Sequence, residues 1–169
     1  MYQLFKRLKF IDIDRDMLEK EYRCVSLKIF EKSIRSEGRL GSYYRDVEIN
    51  RGYAIEIDKS IPNYAKMFTF FHEKGHHLCA ENRCYCHSFS KQRCESHADL
   101  YALKECFSKR YLALQDLNFI NRNEEEEIFL KRMFSRLIVD HELELEHFLF
   151  IEGILEDSKI NRYAEDFNF

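Results

Sequence analysis

His72-Glu73-Lys74-Gly75-His76 sets two imidazoles four residues apart, with a carboxylate directly after the first. On a helix, residues at i and i+4 share one face a turn apart, so both rings can bind a single ion. Glu73 falls one step round that helix, where its carboxylate reaches a water rather than the ion. A Lewis-acidic ion beside a general base is the arrangement for hydrolysis. A catalytic zinc also needs a third protein ligand and an open position.

In one large group of zincins the third ligand is a Glu on a later helix, with an acid or amide four residues on. Cys94-Glu95-Ser96-His97-Ala98-Asp99 supplies Glu95 and Asp99 at that spacing. Glu95 is then the third zinc ligand, and Asp99 holds an imidazole N–H, fixing its tautomer. Ala102, a turn further, is small enough for close helix packing. The metzincin pattern needs Gly where Cys79 stands and His where Asn82 stands, so it does not apply. A purely structural zinc would close its fourth position; Cys79, three residues after His76, is the residue able to do so.

Four of the six cysteines, Cys79, Cys84, Cys86 and Cys94, fall in one short segment with His76, His77 and His87. Cys84, Cys86, Cys94 and His87 are candidates for a second, structural zinc, against reduced thiols in a loop or a redox-sensitive pair. His97 lies opposite Glu95 on any helix and reads as a surface or satisfied core histidine. His141 and His147 are six residues apart, not one helical face, and belong to an amphipathic helix with Leu143, Phe148 and Ile151 near the core. Tyr43, Tyr44 and Tyr53 read as ordinary sheet aromatics.

The elements that must position this chemistry follow from periodicity. Asp14 to Tyr22 reads as a helix, and Val25, Leu27 and Ile29 have strand spacing. After a loop from Glu37 to Gly41, Tyr43, Val47 and Ile49 lead through Asn50-Arg51-Gly52 into Tyr53, Ile55 and Ile57, a β-hairpin. From Tyr64 the spacing predicts a helix buried along one stripe, then a Cys-rich loop from about Cys79 to Gln92. Helices are expected over about Arg93 to Leu114, Glu124 to Ser135 and Leu137 to Asp157. Asn123 is the expected N-cap for the acidic first turn Glu124 to Glu127. Strands before helices indicate an α+β domain: helix plus a small three-stranded antiparallel or mixed sheet over 1–62, and a helical half carrying the zinc site over 63–169.

The 169 residues, 45% of them hydrophobic, are enough for one domain with its own core. A net charge of −3 argues against direct nucleic-acid binding, and one Pro with five Gly excludes linker-dominated chains. No apolar run is long enough to span a membrane, and the first sixteen residues do not read as a secretory signal. A cytoplasmic location with mostly reduced cysteines is expected.

Phe68-Thr69-Phe70-Phe71-His72-Glu73-Lys74-Gly75-His76 resembles the Phe-Thr-x-Ala-His-Glu-x-Gly-His core of ImmA/IrrE-type metallopeptidases. Glu95-Ser96-His97-Ala98-Asp99-Leu100-Tyr101-Ala102 resembles that family's second block, and the strand ending at Asp58 occupies its strand position before the active-site helix. The resemblance covers roughly residues 40 to 105. It departs at His97, where the family has a second Glu, and at Phe71, where it has a small residue; the Leu-Leu-x-Pro that often follows is absent. It implies zinc on His72, His76 and Glu95, Glu73 as catalytic base, a zincin-like fold, and cytosolic cleavage of repressor-like regulators in phage, mobile-element or stress-response settings.

The expected function is therefore a zinc endopeptidase acting on an extended segment of a protein substrate. Tyr85, His87 and Tyr101 are candidate oxyanion stabilisers. The strand Tyr53 to Asp58 is the expected edge for docking a peptide by strand addition. The alternatives are a non-catalytic zincin-fold binding module with a structural zinc and a toxin–antitoxin or phage regulator acting by contact.

Overall fold

The computed structural model describes residues 6–34, 39–46, 52–81, 91–115 and 121–151. In chain order these form β1 (Leu8–Phe10), α1 (Arg15–Arg23), β2 (Lys28–Lys32), β3 (Gly41–Asp46), β4 (Gly52–Asp58), α2 (Asn63–Glu81), α3 (Lys91–Ser108), β5 (Leu112–Leu114) and α4 (Glu124–Ile151). The class is α+β, as the patterning indicates. Cys84, Cys86, His87, Tyr85 and the hairpin residues 47–51 lie outside the described residues, as do residues 152–157 of the last expected helix.

Local chemistry accounts for the helix starts. The Asp14 carboxylate accepts from the Met17 N–H at 2.8 Å and caps α1, and the Asn123 side chain accepts from the Glu126 N–H at 2.8 Å and caps α4. The three-stranded sheet has the order β2-β4-β3, with β2 parallel and β3 antiparallel to β4. β4 is thus the central strand. This corrects the expectation that Tyr53 to Asp58 forms a docking edge: both its sides are already hydrogen-bonded, and β3 is the outer strand next to α2.

A second, two-stranded sheet pairs β1 with β5, Leu8 against Leu114 and Phe10 against Leu112. It was not legible as strand, because three residues carry too little period. It also shortens the helix expected to run to Leu114. That helix ends at Ser108 because Arg110 turns left-handed (φ 62°), with the Tyr111 N–H donating to the Cys106 carbonyl and the Arg110 N–H to that of Phe107. This is a Schellman-type stop without the usual glycine. Replacing Arg110 by Gly should therefore stabilise the fold by about 0.5–1 kcal/mol, readable as a rise in the urea midpoint. A loss of stability would show that the Arg110 side chain contributes more than its backbone strain costs.

α2 is not buried along one stripe but nearly all round, its run Ala65 to Phe71 being continuously buried. It is the central helix, packed by the sheet on one side and by α3 on another. At Gly75 the helices come so close that a Cβ would stand 3.2 Å from the Ala98 Cα. α2 also continues through Cys79 to Glu81, into the expected loop. α4 is one element divided by a non-helical His141 (φ −143°, ψ 36°), not by a break near Arg136; the His141 Nε2 lies 3.1 Å from the buried Ser96 hydroxyl of α3. One core cluster draws on both halves of the chain, from Leu8 to Phe148. Among the described residues, no helix is long and apolar enough to cross a membrane.

Candidate metal centre

His72 and His76 project from one face of α2, and Glu95 from the first turns of α3, held opposite by the close helix contact at Gly75. The two Nε2 atoms are 3.1 Å apart, and Glu95 oxygens lie 3.3 Å from His72 Nε2 and 3.5 Å from His76 Nε2. Ligand atoms at tetrahedral angles around an ion with bonds of 2.0–2.1 Å stand about 3.3 Å apart. The two imidazoles stand close to that spacing, and Glu95 faces them with one oxygen toward each ring (Oε2 to His72, Oε1 to His76), so that one donor atom from each of the three residues lies within 4.8 Å of the others. Among the described residues, only these three form a group of metal-ligating side chains within mutual reach.

The outer nitrogens are also engaged. His72 Nδ1 donates to Asp99 Oδ1 at 2.7 Å, which leaves Nε2 for the ion. Asp99 is 1% exposed, and its second oxygen forms an ion pair with Arg136 at 2.8 Å, off the hydrogen-bonding angle. His76 Nδ1 lies 3.3 Å from the Cys94 sulfur. Partners of this kind fix the tautomer and ring orientation of metal-binding histidines. A borderline divalent cation such as zinc therefore fits this donor set.

Burial alone would lower the pKa of His72, but hydrogen bonds to Asp99 and Glu95 override it and raise it to about 10. Those same bonds from His72 and His76 hold the Glu95 carboxyl well below the ordinary range. Without a metal, the His72 proton stabilises the fold. That contribution is complete below the unfolded pKa of about 6.5 and is lost as pH rises through about 10. A metal must displace this proton. Zinc binding near pH 7.5 should release close to one proton from His72, and affinity should rise about tenfold per pH unit up to about pH 9. Calorimetry in buffers of different ionisation enthalpy measures this; zero net release would show His72 to be neutral before binding.

Glu73 sits one step round α2 and is 7% exposed. Burial raises its pKa, the neighbouring His72 and His76 pull it down, Glu95 pushes it up, and the Tyr43 backbone N–H, donating to its carboxylate, favours the charged form. β3 rests directly on this carboxylate. A Cβ at Gly41 would stand 2.4 Å from Thr69 Cγ2 and 2.9 Å from Glu73 Oε1, so only glycine permits the approach. The Tyr43 hydroxyl is 3.0 Å from His77 Nδ1 and ties the strand to α2 from its other end. Gly41 and Tyr43 are site residues that sequence reasoning missed; Tyr43 had read as a sheet aromatic and Gly41 as the end of a loop. Neither has a signal in spacing, since both act through a tertiary contact. Gly41→Ala should keep metal content but lower any hydrolytic rate by about 10–100-fold, because the base or the strand must shift by tenths of an ångström or more. A metal-replete variant with unchanged rate would remove β3 from the site.

Cys94 is buried against Cys79, and it serves His76; Cys79 is not within the three-residue group. Its proposed companions in a second zinc site, Cys84, Cys86 and His87, lie outside the described residues. His97 is exposed and its ring lies tilted, 5.9 Å from the His141 ring; it is not in the three-residue group. Tyr101 packs at Gly75 and does not line the groove beside the metal ligands.

That groove, of about 990 Å³, runs between the start of β3, the exposed side of α2 and the N-terminal half of α4. In comparison with known proteins, no family model, no curated protein and no solved structure matches the chain.

Proposed function

We propose that the protein is a zinc-dependent endopeptidase of zincin type, akin to the ImmA/IrrE metallopeptidases its motifs resemble. The observation that carries this reading is the His72–His76–Glu95 triangle of metal-ligand spacing with a buried carboxylate, Glu73, beside it on an open groove. A zinc ion bound there supplies Lewis acidity, lowering the pKa of water and polarising a carbonyl. Glu73 takes the proton of the attacking water and delivers it to the leaving amine, a role suited to a carboxylate in a desolvated site. The Tyr43 N–H and the close pack of Gly41 keep that carboxylate from rotating away. Asp99 orients His72, and Cys94 orients His76.

The outer strand β3, rather than β4, offers backbone groups to an extended peptide, since among the described residues it pairs only with β4. Such a pose requires an extended chain, so cleavage falls in linkers or flexible loops of a protein partner. A repressor-like regulator is the substrate favoured by the resemblance. The test is to incubate the zinc-loaded protein with regulators from its own genomic neighbourhood and with an unfolded casein-like chain, mapping cuts by mass spectrometry. Cleavage that a chelator stops and zinc restores supports the reading. Cutting of the unfolded chain alone replaces the regulatory role with general peptidase activity, and no cutting of either rejects the enzyme.

A further inference from the structure

The wall of the groove formed by α4 has a pattern that the hydrolytic chemistry does not use. Ile128, Arg132 and Arg136 recur at i, i+4 and i+8, so they form one stripe, and all three line the groove. Ile128 is 51% exposed, and Leu40, on the β3 wall of the same groove, is 37% exposed. Beneath them Phe129 packs edge-on against Phe68 at 5.4 Å, giving an apolar floor. Two large aliphatic side chains left open over an aromatic floor mark a seat for an apolar group.

The charges on the same wall are equally particular. Arg136 is ion-paired with Asp99, whereas Arg132 makes no hydrogen bond or ion pair with any described residue. The Arg136 charge is met by the buried Asp99, so an anionic group entering the groove pairs with Arg132. The acids near the centre are committed inward, Glu95 to the histidines and Asp99 to His72 and Arg136. Glu125 lines the far end of the groove, beyond Ile128.

We infer that this groove selects an extended peptide bearing a bulky apolar side chain, seated by Leu40, Ile128 and Phe129, and an acidic side chain two positions nearer the metal centre, paired with Arg132. The spacing follows from geometry. One α4 turn from Ile128 to Arg132 rises about 6 Å, and an extended chain rises about 3.3 Å per residue with i and i+2 on the same face. The inference rests on the peptidase reading for the place of the scissile bond but not for the selection itself.

The test uses full-length zinc-loaded Glu73→Gln protein and, in parallel, metal-free wild type. Fluorescent peptides carrying Leu-x-Glu, Leu-x-Gln, Leu-x-Lys or Ala-x-Glu, in both chain directions, are titrated by anisotropy. The Leu-x-Glu peptide should bind about three- to tenfold tighter than the others, the range expected for a partly exposed charge-assisted pair. Arg132→Glu should reverse the preference toward Lys, and Ile128→Ser should abolish the difference between Leu and Ala; both sites are exposed, so the fold survives. Selective binding without hydrolysis by wild type rejects the peptidase but supports this specificity. Hydrolysis or binding indifferent to the acid, a preference unmoved in Arg132→Glu, or no peptide binding at all overturns it. So does an Arg132-dependent association with a second copy of the chain or with a single-stranded oligonucleotide in place of the peptide.

Discussion

Glu73→Gln should retain close to one equivalent of zinc while hydrolysis falls by about 100- to 10,000-fold. The side chain keeps its length, and its carbonyl oxygen can still accept from the Tyr43 N–H, so β3 stays seated. The three candidate ligands are untouched, because Glu73 lies outside the His72–His76–Glu95 group. What disappears is the only group of that side chain able to hold a proton in transit. Removing a buried carboxylate that burial already disfavours should leave the metal-free fold as stable or slightly more so. Parallel metal analysis and peptide cleavage decide it: activity within a few-fold of wild type, or loss of the ion, would overturn the role assigned to Glu73.

The second large effect separates ligand from support. Glu95→Ala removes one of the three grouped side chains and leaves two imidazoles, so zinc affinity should drop by more than the ~10–100-fold that outer partners are worth. Asp99→Asn should fall within that smaller range. It preserves the volume of a fully buried side chain while weakening the hold on His72 Nδ1 and the pair with Arg136. His97→Ala should change neither, since His97 lies beside His141 and is not in the three-residue group. Competition titrations against a chromophoric chelator rank the three. Full zinc in Glu95→Ala together with loss in His97→Ala would make the third-ligand assignment wrong.

The parts of this centre legible in the sequence are those written in one-dimensional periods. His72, Glu73 and His76 are related by a single helical turn, as are Glu95 and Asp99, and the structure brings both sets together at the distances that follow. The N-caps Asp14 and Asn123 are local in the same sense. What escaped depends on contacts between distant segments. Gly41 matters because Glu73 lies under it, and Tyr43 because its N–H faces that carboxylate; no spacing encodes either. Cys94 reads as a candidate ligand of a second zinc, but its sulfur faces His76 because α3 packs closely against α2. β4 read as an edge because it adjoins α2 in sequence, whereas β2 returns to cover it in space. Arg110 ends α3 without glycine, and His141 interrupts α4 without proline, so the usual punctuation is missing at both.

The three candidate ligands do not share one mechanical footing. His72 and His76 follow the continuously buried run Ala65 to Phe71 of α2, with side chains 12% and 15% exposed. Glu95 stands in the opening turns of α3, with its side chain 36% exposed. An ion leaving this centre would part from Glu95 before either imidazole. Its residence time would then follow the freedom of one partly exposed side chain rather than the lifetime of the fold, and the ion would act as a clasp between α2 and α3.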